Sequence, residues 1–136
     1  MALVIPNQGE STGLSIFLGK TPIESLRLRL FTNDITPDES DTAGTYTEAS
    51  GSGYASVLLT AANWVISAGD PTSGTYPAIT FEFTGALGNV YGYYVTGETS
   101  GVVRWAERFD PLPFDVQAAG DQIIVTPSIT LQDLLD

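Results

Sequence analysis

Apolar and polar residues alternate along several short stretches of the chain, and turn residues separate these stretches. The alternation is clearest over residues 26–30, 79–84, 91–95, 102–109 and 123–131. A period of two is typical of β-strands that bury one face. Two shorter strands are predicted at 54–59 and 63–66. Polar loops rich in small residues are predicted at 38–53, with an edge strand near Tyr46, and at 67–77.

The first element has a different pattern, which predicts a short helix. Asn7 is a candidate N-cap, Glu10 follows three residues later as in a capping box, and Gly19 can end the helix. The apolar side chains of this helix share one face, formed by Leu14, Phe17 and Leu18.

Short strands separated by turns at this spacing indicate a mainly β fold. We predict an antiparallel β-sandwich, jelly-roll-like, with one short N-terminal helix packed on a sheet or at an open end. The length of 136 residues fits a single domain over 1–136. The apolar ends, 1–6 and 131–135, are predicted either to be arms that pack on a neighbouring subunit or to close the protein's own core.

The amino-acid composition limits the catalytic and metal-binding chemistry that is open to the protein. The chain has no cysteine and no histidine, and Lys20 is its one lysine. Thiolate ligands, imidazole ligands and the commonest general base are therefore absent. We predict no enzymatic activity, no cofactor and no metal. The N-terminus resembles no secretory signal and no apolar run could cross a bilayer, so we expect synthesis in a cytoplasm without membrane association.

The formal net charge of −11 disfavours binding to nucleic acid or anionic lipid. The acidic residues concentrate in the first polar loop. This acidic run, which comprises Asp34, Asp38, Glu39 and Asp41, is the candidate contact for a basic partner. A solvated loop and a calcium site are the alternatives, although the spacing does not match an EF-hand.

Glu107 is an unusual residue on a predicted strand. Strict alternation places it on one face with Val103, Trp105 and Phe109. A carboxylate among apolar side chains requires a partner. We therefore predict a structural carboxylate that is paired with a cation or bound by the backbone.

Several carboxylates lie near aromatic residues in the second half of the chain, namely Glu82, Glu98, Glu107 and Asp110. Paired carboxylates can hydrolyse glycosides, and exposed rings can stack on sugars. The tyrosines and Trp105 fit ordinary strand positions, so the pattern favours core aromatics over a sugar platform.

Several segments together resemble small structural proteins of tailed bacteriophages, including cyanophages. The resemblance covers about residues 7–131 and rests on LFTNDITP at 30–37, GYA at 53–55, VYGYYV at 90–95, WAERF at 105–109 and GDQIIVTP at 120–127. Some of these phage proteins are capsid decoration, or cement, proteins.

The resemblance implies a β-sandwich that assembles on the outer face of a head shell, often as a homotrimer, with the major capsid protein as its partner. It supplies no defined site motif, so no functional residue is carried over. A tail, baseplate or host-receptor-binding subunit and a carbohydrate-binding module remain the alternatives.

Overall fold

The computed structural model describes residues 3–132. The helices and strands of this part of the chain are α1 (Asn7–Phe17), β1 (Leu26–Phe31), β2 (Val57–Leu59), β3 (Val65–Ser67), β4 (Thr72–Thr75), β5 (Ile79–Glu82), β6 (Gly88–Val90), β7 (Gly92–Gly97), β8 (Val103–Arg108), β9 (Phe114–Val116), β10 (Gln122–Val125) and β11 (Ser128–Leu131). Two 3₁₀ turns lie at Ala43–Thr45 and Ala61–Asn63.

The fold is mainly β, with antiparallel sheets and one α-helix, as the alternating pattern predicts. The largest sheet has the strand order β2-β1-β7-β8. A three-stranded sheet has the order β11-β4-β3, and two further pairs are β10-β5 and β6-β9. The chain passes directly from β4 to β5 and from β10 to β11. The Tyr76 N–H donates to the Pro127 carbonyl at 2.9 Å and joins the two ladders.

The interior strand β7 of the four-stranded sheet is buried on both faces. Leu28 pairs with Val95 and Leu30 with Tyr93, and all four belong to the larger core cluster. That cluster also takes side chains from the second half of the chain, among them Phe81, Phe83, Val90, Val116, Ile123 and Val125. A smaller cluster comprises Phe31, Tyr46, Tyr94, Val103 and Ala106. Burial on both faces explains why every residue of β7 is buried.

The two predicted loops contain more structure than their composition indicates. The edge strand expected near Tyr46 is a 3₁₀ turn followed by a single bridge between Phe31 and Glu48. Tyr46 is buried and stacks on Tyr94, with ring centroids 4.7 Å apart. The loop expected at 67–77 contains β4, which pairs with β3 and β11. Its sequence, Thr-Ser-Gly-Thr, has no hydrophobic alternation to reveal it.

Helix α1 forms where expected, but the predicted capping box is wrong. Pro6 is the N-cap and Asn7 is the first helical residue, so the Asn7 side chain makes no cap hydrogen bond. The Asn7 N–H instead donates to the Glu39 carbonyl at 2.8 Å. The polar loop therefore caps the helix through its main chain, which no local sequence signal could indicate.

Residues 3–6 belong to the protein's own core. Val4 and Ala106 exchange two backbone hydrogen bonds, each 2.9 Å long, along the outer edge of β8. Leu3 and Ile5 pack on the larger cluster, and Pro6 is fully buried. This N-terminal segment was predicted either to pack on a neighbouring subunit or to close the protein's own core, and the structure supports the second for residues 3–6. Residues 1–2 and 133–135 of the predicted arms lie outside the described residues.

Candidate partner-binding surface

The acidic run is not a uniform solvated loop. Asp41 is 8% exposed, and its Oδ2 accepts the Tyr46 hydroxyl at 2.7 Å and the Asp38 N–H at 2.8 Å. Asp34 pairs with Arg108 at 2.7 Å while most of its side chain stays exposed. Asp41 is therefore a structural group of the loop, because its carboxylate is already occupied.

Asp38 and Glu39 remain exposed. The Ser40 N–H donates to Asp38 Oδ1 at 2.9 Å, and this backbone hydrogen bond lowers the pKa of Asp38, as does a second from the Ser40 hydroxyl. Within residues 3–132, no three acidic side chains come together in a group that could hold a metal ion.

These two carboxylates line a cleft beside the N-terminal segment. The cleft has a volume of about 490 Å³. Leu3, Val4, Ile5 and Pro37 form its apolar wall, and Glu10 of α1 is its third acidic side chain. We call this feature the acidic cleft.

A larger, mostly apolar groove lies between α1 and the strands β1, β8 and β11. Its volume is about 570 Å³, and Leu14, Phe17, Leu26, Trp105, Ile129 and Leu131 contribute apolar side chains to it. Phe17 is 77% exposed, Leu131 70% and Leu14 60%. Leu14 and Phe17 of the predicted apolar face therefore line a groove that the described residues leave open, whereas Leu18 is the C-cap residue and does not line it. We call this feature the apolar groove.

The two features share a border. Ile5 and Glu10 line both the apolar groove and the acidic cleft. One continuous surface therefore has an apolar part along α1 and an acidic part at the start of the helix.

Helix α1 is held against β8 by close backbone contact. A Cβ atom on Gly9 would lie 2.6 Å from the Arg104 carbonyl oxygen and 2.7 Å from that of Val103, so glycine alone fits. The Gln8 side chain accepts the Val103 N–H at 3.1 Å and donates to the Asp41 carbonyl at 3.3 Å. These contacts cover the free edge of β8 and fix one wall of the apolar groove.

Each of the four arginines forms an ion pair. The pairs are Arg27–Glu98, Arg29–Glu48, Arg104–Glu24 and Arg108–Asp34. Arginine charge is therefore neutralised within the fold, whereas Glu10, Asp38 and Glu39 of the binding surface have no cation among these pairs.

Glu24 is a residue whose role the sequence does not reveal. Its Oε1 accepts the N–H groups of Thr99 and Ser100 at 2.8 and 3.0 Å, and its Oε2 accepts Arg104 at 3.0 Å. Burial alone would raise the pKa of Glu24, but these hydrogen bonds outweigh it and lower the pKa. Glu24 thus holds the β7–β8 turn, and the long sequence separation of the contact hides it from local patterns.

Glu107 is partly buried and accepts the Tyr93 hydroxyl at 2.8 Å. Its partner is thus a tyrosine rather than the cation or backbone group expected. The predicted shared face is wrong at Val103, because the pairing of β7 with β8 shifts between Val95 and Thr96 and Val103 joins the smaller cluster. Trp105 stays in the larger cluster.

The other carboxylates considered for sugar chemistry have separate partners. Glu82 is exposed on β5 and accepts Gln122, while Glu98 pairs with Arg27. Asp110 follows β8 and is exposed. Five aromatic side chains are more than nine-tenths buried and so are not available to stack on a sugar, namely Tyr46, Tyr76, Tyr93, Tyr94 and Trp105.

Comparison of the chain with protein-family models, with curated proteins and with solved structures finds no match in any of the three. In the part of the chain that the structure describes, no helix combines the length and apolar character needed to span a membrane.

Proposed function

We propose that this protein is a structural component of a tailed-bacteriophage virion, and that it decorates and stabilises the outer face of the capsid by binding the major capsid protein. The observation that carries the proposal is the continuous surface formed by the apolar groove and the acidic cleft. Large apolar side chains exposed next to a polar rim are typical of protein interaction sites. The sequence resemblance to phage structural proteins supplies the class of partner.

The physical properties of the chain suit such a role. A decoration protein must hold a fixed shape and present a complementary surface, and it needs no chemistry. The Arg–carboxylate pairs, together with the long-range contacts of Glu24, favour a rigid framework. The acidic surface would keep free subunits apart until they meet their lattice.

We further propose that the antiparallel sheets form a jelly-roll-like β-sandwich that assembles as a homotrimer. Cyclic symmetry lets one small surface act three times. Three equivalent weak contacts at a lattice three-fold axis would sum by avidity.

Mass measurement on the purified protein and binding to isolated phage heads test this proposal. We expect a trimer that binds expanded head shells better than isolated capsid protein. A strict monomer would refute the trimer alone. Labelling of virions that places the protein only at the tail would refute the capsid role and support a tail, baseplate or receptor-binding subunit instead.

A further inference from the structure

We propose that the apolar groove and the acidic cleft together bind one extended arm of a partner protein, in which large apolar residues lie directly beside lysine or arginine. This inference deepens the proposed function, since it specifies how the partner is recognised. The partner's identity rests on that proposed function, but the chemistry of the arm rests on the surface alone.

The apolar part of the arm follows from the exposed side chains of the groove. Phe17, Leu14 and Leu131 present large apolar surface, and Leu26 and Ile129 form part of the wall between them. Covering such side chains stabilises a complex by about 25 cal/mol per Å² of apolar surface removed from water. An arm with leucine-sized or larger side chains fits this part.

The basic part of the arm follows from charge. Glu10, Asp38 and Glu39 line the acidic cleft, and none of them belongs to an arginine ion pair. Glu10 also borders the apolar groove. A basic side chain placed just beyond the apolar residues would therefore lie near Glu10, and further basic residues could approach Asp38 and Glu39.

Charge also disfavours two other molecules that could bind this surface, namely a second copy of the chain and the chain's own C-terminal residues. A second copy of this chain carries a net charge of −11. The chain's own residues 133–136 read Asp-Leu-Leu-Asp, so their two leucines come with two carboxylates. Carboxylates of either that entered the acidic cleft would meet charge of the same sign, which is unfavourable.

The size of the surface sets the spacing in the arm. From Gly9 to Phe17, α1 rises about 12 Å at 1.5 Å per residue. An extended chain covers that length with about four residues. The arm should thus carry apolar side chains over about four positions, with its basic residues directly beside them at the Glu10 end.

The first test uses a fluorescent peptide with four large apolar residues followed by three lysines. Two control peptides have either the lysines replaced by glutamates or the apolar residues replaced by serines. We expect the first peptide to bind the full chain at least about tenfold more tightly than either control, with its advantage over the glutamate peptide shrinking as salt rises past about 0.5 M. No binding up to about 1 mM peptide, or equal binding of all three peptides, would overturn the proposal.

Matched variants locate the binding site. Phe17→Ser should weaken peptide binding about tenfold at every salt concentration, and a Glu10→Lys, Glu39→Lys double variant should do so at low salt only. The controls are Ile124→Ser and Glu82→Lys, which change exposed residues elsewhere and should alter affinity less than about twofold. Circular dichroism would show that all variants fold. Equal effects of control and site variants would overturn the proposal.

Two further measurements are needed. One distinguishes a partner's arm from the chain's own tail, and the other distinguishes this inference from the proposed capsid role. If a chain ending at Gln132 binds the peptide about tenfold more tightly than the full chain, the chain's own tail occupies the groove and the proposal is wrong. If Phe17→Ser abolishes peptide binding but head shells still bind, the capsid role stands without this arm. If the peptide binds and head shells do not, the arm stands and the capsid role fails.

Discussion

Three buried or half-buried tyrosines donate to carboxylates, in a chain that has no histidine. The pairs are Tyr46–Asp41 and Tyr54–Glu48, both at 2.7 Å, and Tyr93–Glu107 at 2.8 Å. A carboxylate removed from water needs a donor, and the four arginines pair with Glu24, Glu48, Asp34 and Glu98. Tyrosine hydroxyls therefore serve as donors to carboxylates inside this fold.

Glu107→Ala should destabilise the protein by about 1–3 kcal/mol, because it leaves the Tyr93 hydroxyl without its acceptor. Denaturant unfolding measures the change. Glu82→Ala, at an exposed position of β5, is the control and should change stability by less than about 0.5 kcal/mol. Equal effects of the two substitutions would mean that the hydrogen bond of Glu107 adds nothing to stability.

Glu24 should make the protein sensitive to acid. Its pKa in the folded state lies below the usual 4.5, so the stability that it contributes is present above pH 4.5 and is lost as the pH falls through the folded pKa. Glu24→Gln should lower the free energy of unfolding at pH 7. It should also make that free energy fall less steeply as the pH decreases below 4.5. Unfolding curves at a series of pH values provide the measurement. If the free energy of unfolding falls equally steeply below pH 4.5 in the variant and in the original protein, the prediction is wrong.

Four of the six tyrosines should resist ionisation in the folded protein. Burial raises the pKa of Tyr94 to about 12, and burial together with the carboxylate partners raises the pKa of Tyr46, Tyr54 and Tyr93 well above 10. The stability they contribute is complete below pH 10 and is lost as the pH rises, because the unfolded chain ionises first. Tyrosinate absorbance at pH 11, compared between native and urea-unfolded protein, tests this. Equal absorbance in the two states would refute it.

At the scale of elements, Gly9 and Gly13 of α1 have opposite surroundings, because the backbone of β8 crowds Gly9 and nothing crowds Gly13. Gly9→Ala should destabilise by about 1–3 kcal/mol, because the new methyl group meets backbone of β8 and the helix must move away. Gly13→Ala should stabilise by up to about 1 kcal/mol, since nothing lies within 4 Å and alanine favours helix. Thermal unfolding of both variants gives the comparison. Changes of the same sign would show that α1 does not pack on β8 as described.

The sequence predicts elements well where burial follows a regular period. Alternating stretches of the sequence coincide with β1, β5, β7, β8 and β10. Local sequence patterns do not predict a conformation that depends on residues far away in the sequence. β4 is a strand because β3 and β11 flank it, and Val103 changes face because the pairing with β7 shifts.

The candidate site was only partly predictable for the same reason. The acidic run was visible in the sequence, but its division into buried Asp41 and exposed Asp38 and Glu39 depends on Tyr46 and the loop backbone. The apolar face of α1 was visible too. Its exposure beside Leu131 requires knowledge of where β11 ends, which no local pattern contains.

At the scale of the whole molecule, acidic and apolar groups meet on one surface, since Ile5 and Glu10 line both the apolar groove and the acidic cleft. The arginines bind within the framework, through ion pairs whose partners come from distant parts of the sequence. Among the exposed apolar side chains, Leu14, Phe17 and Leu131 line the apolar groove, whereas others, such as Ile23 and Leu112, do not. A surface that combines apolar groove and acidic cleft should associate by two separable forces, one insensitive to salt and one weakened by it.

The central place of β1 has a consequence for synthesis on the ribosome. β1 is flanked by β2 and β7, yet β7 begins about sixty residues after β1 ends, roughly 3–12 seconds of translation at 5–20 residues per second. During that delay one edge of β1 has no strand to pair with, and α1 and Val4 have no β8 to dock on. The nascent chain should therefore remain unfolded until β8 has left the exit tunnel. Ribosome-bound chains arrested after residue 85 should accordingly be cleaved readily by protease, whereas released full-length chains should resist it, and resistance of the arrested chains would disprove this order of events.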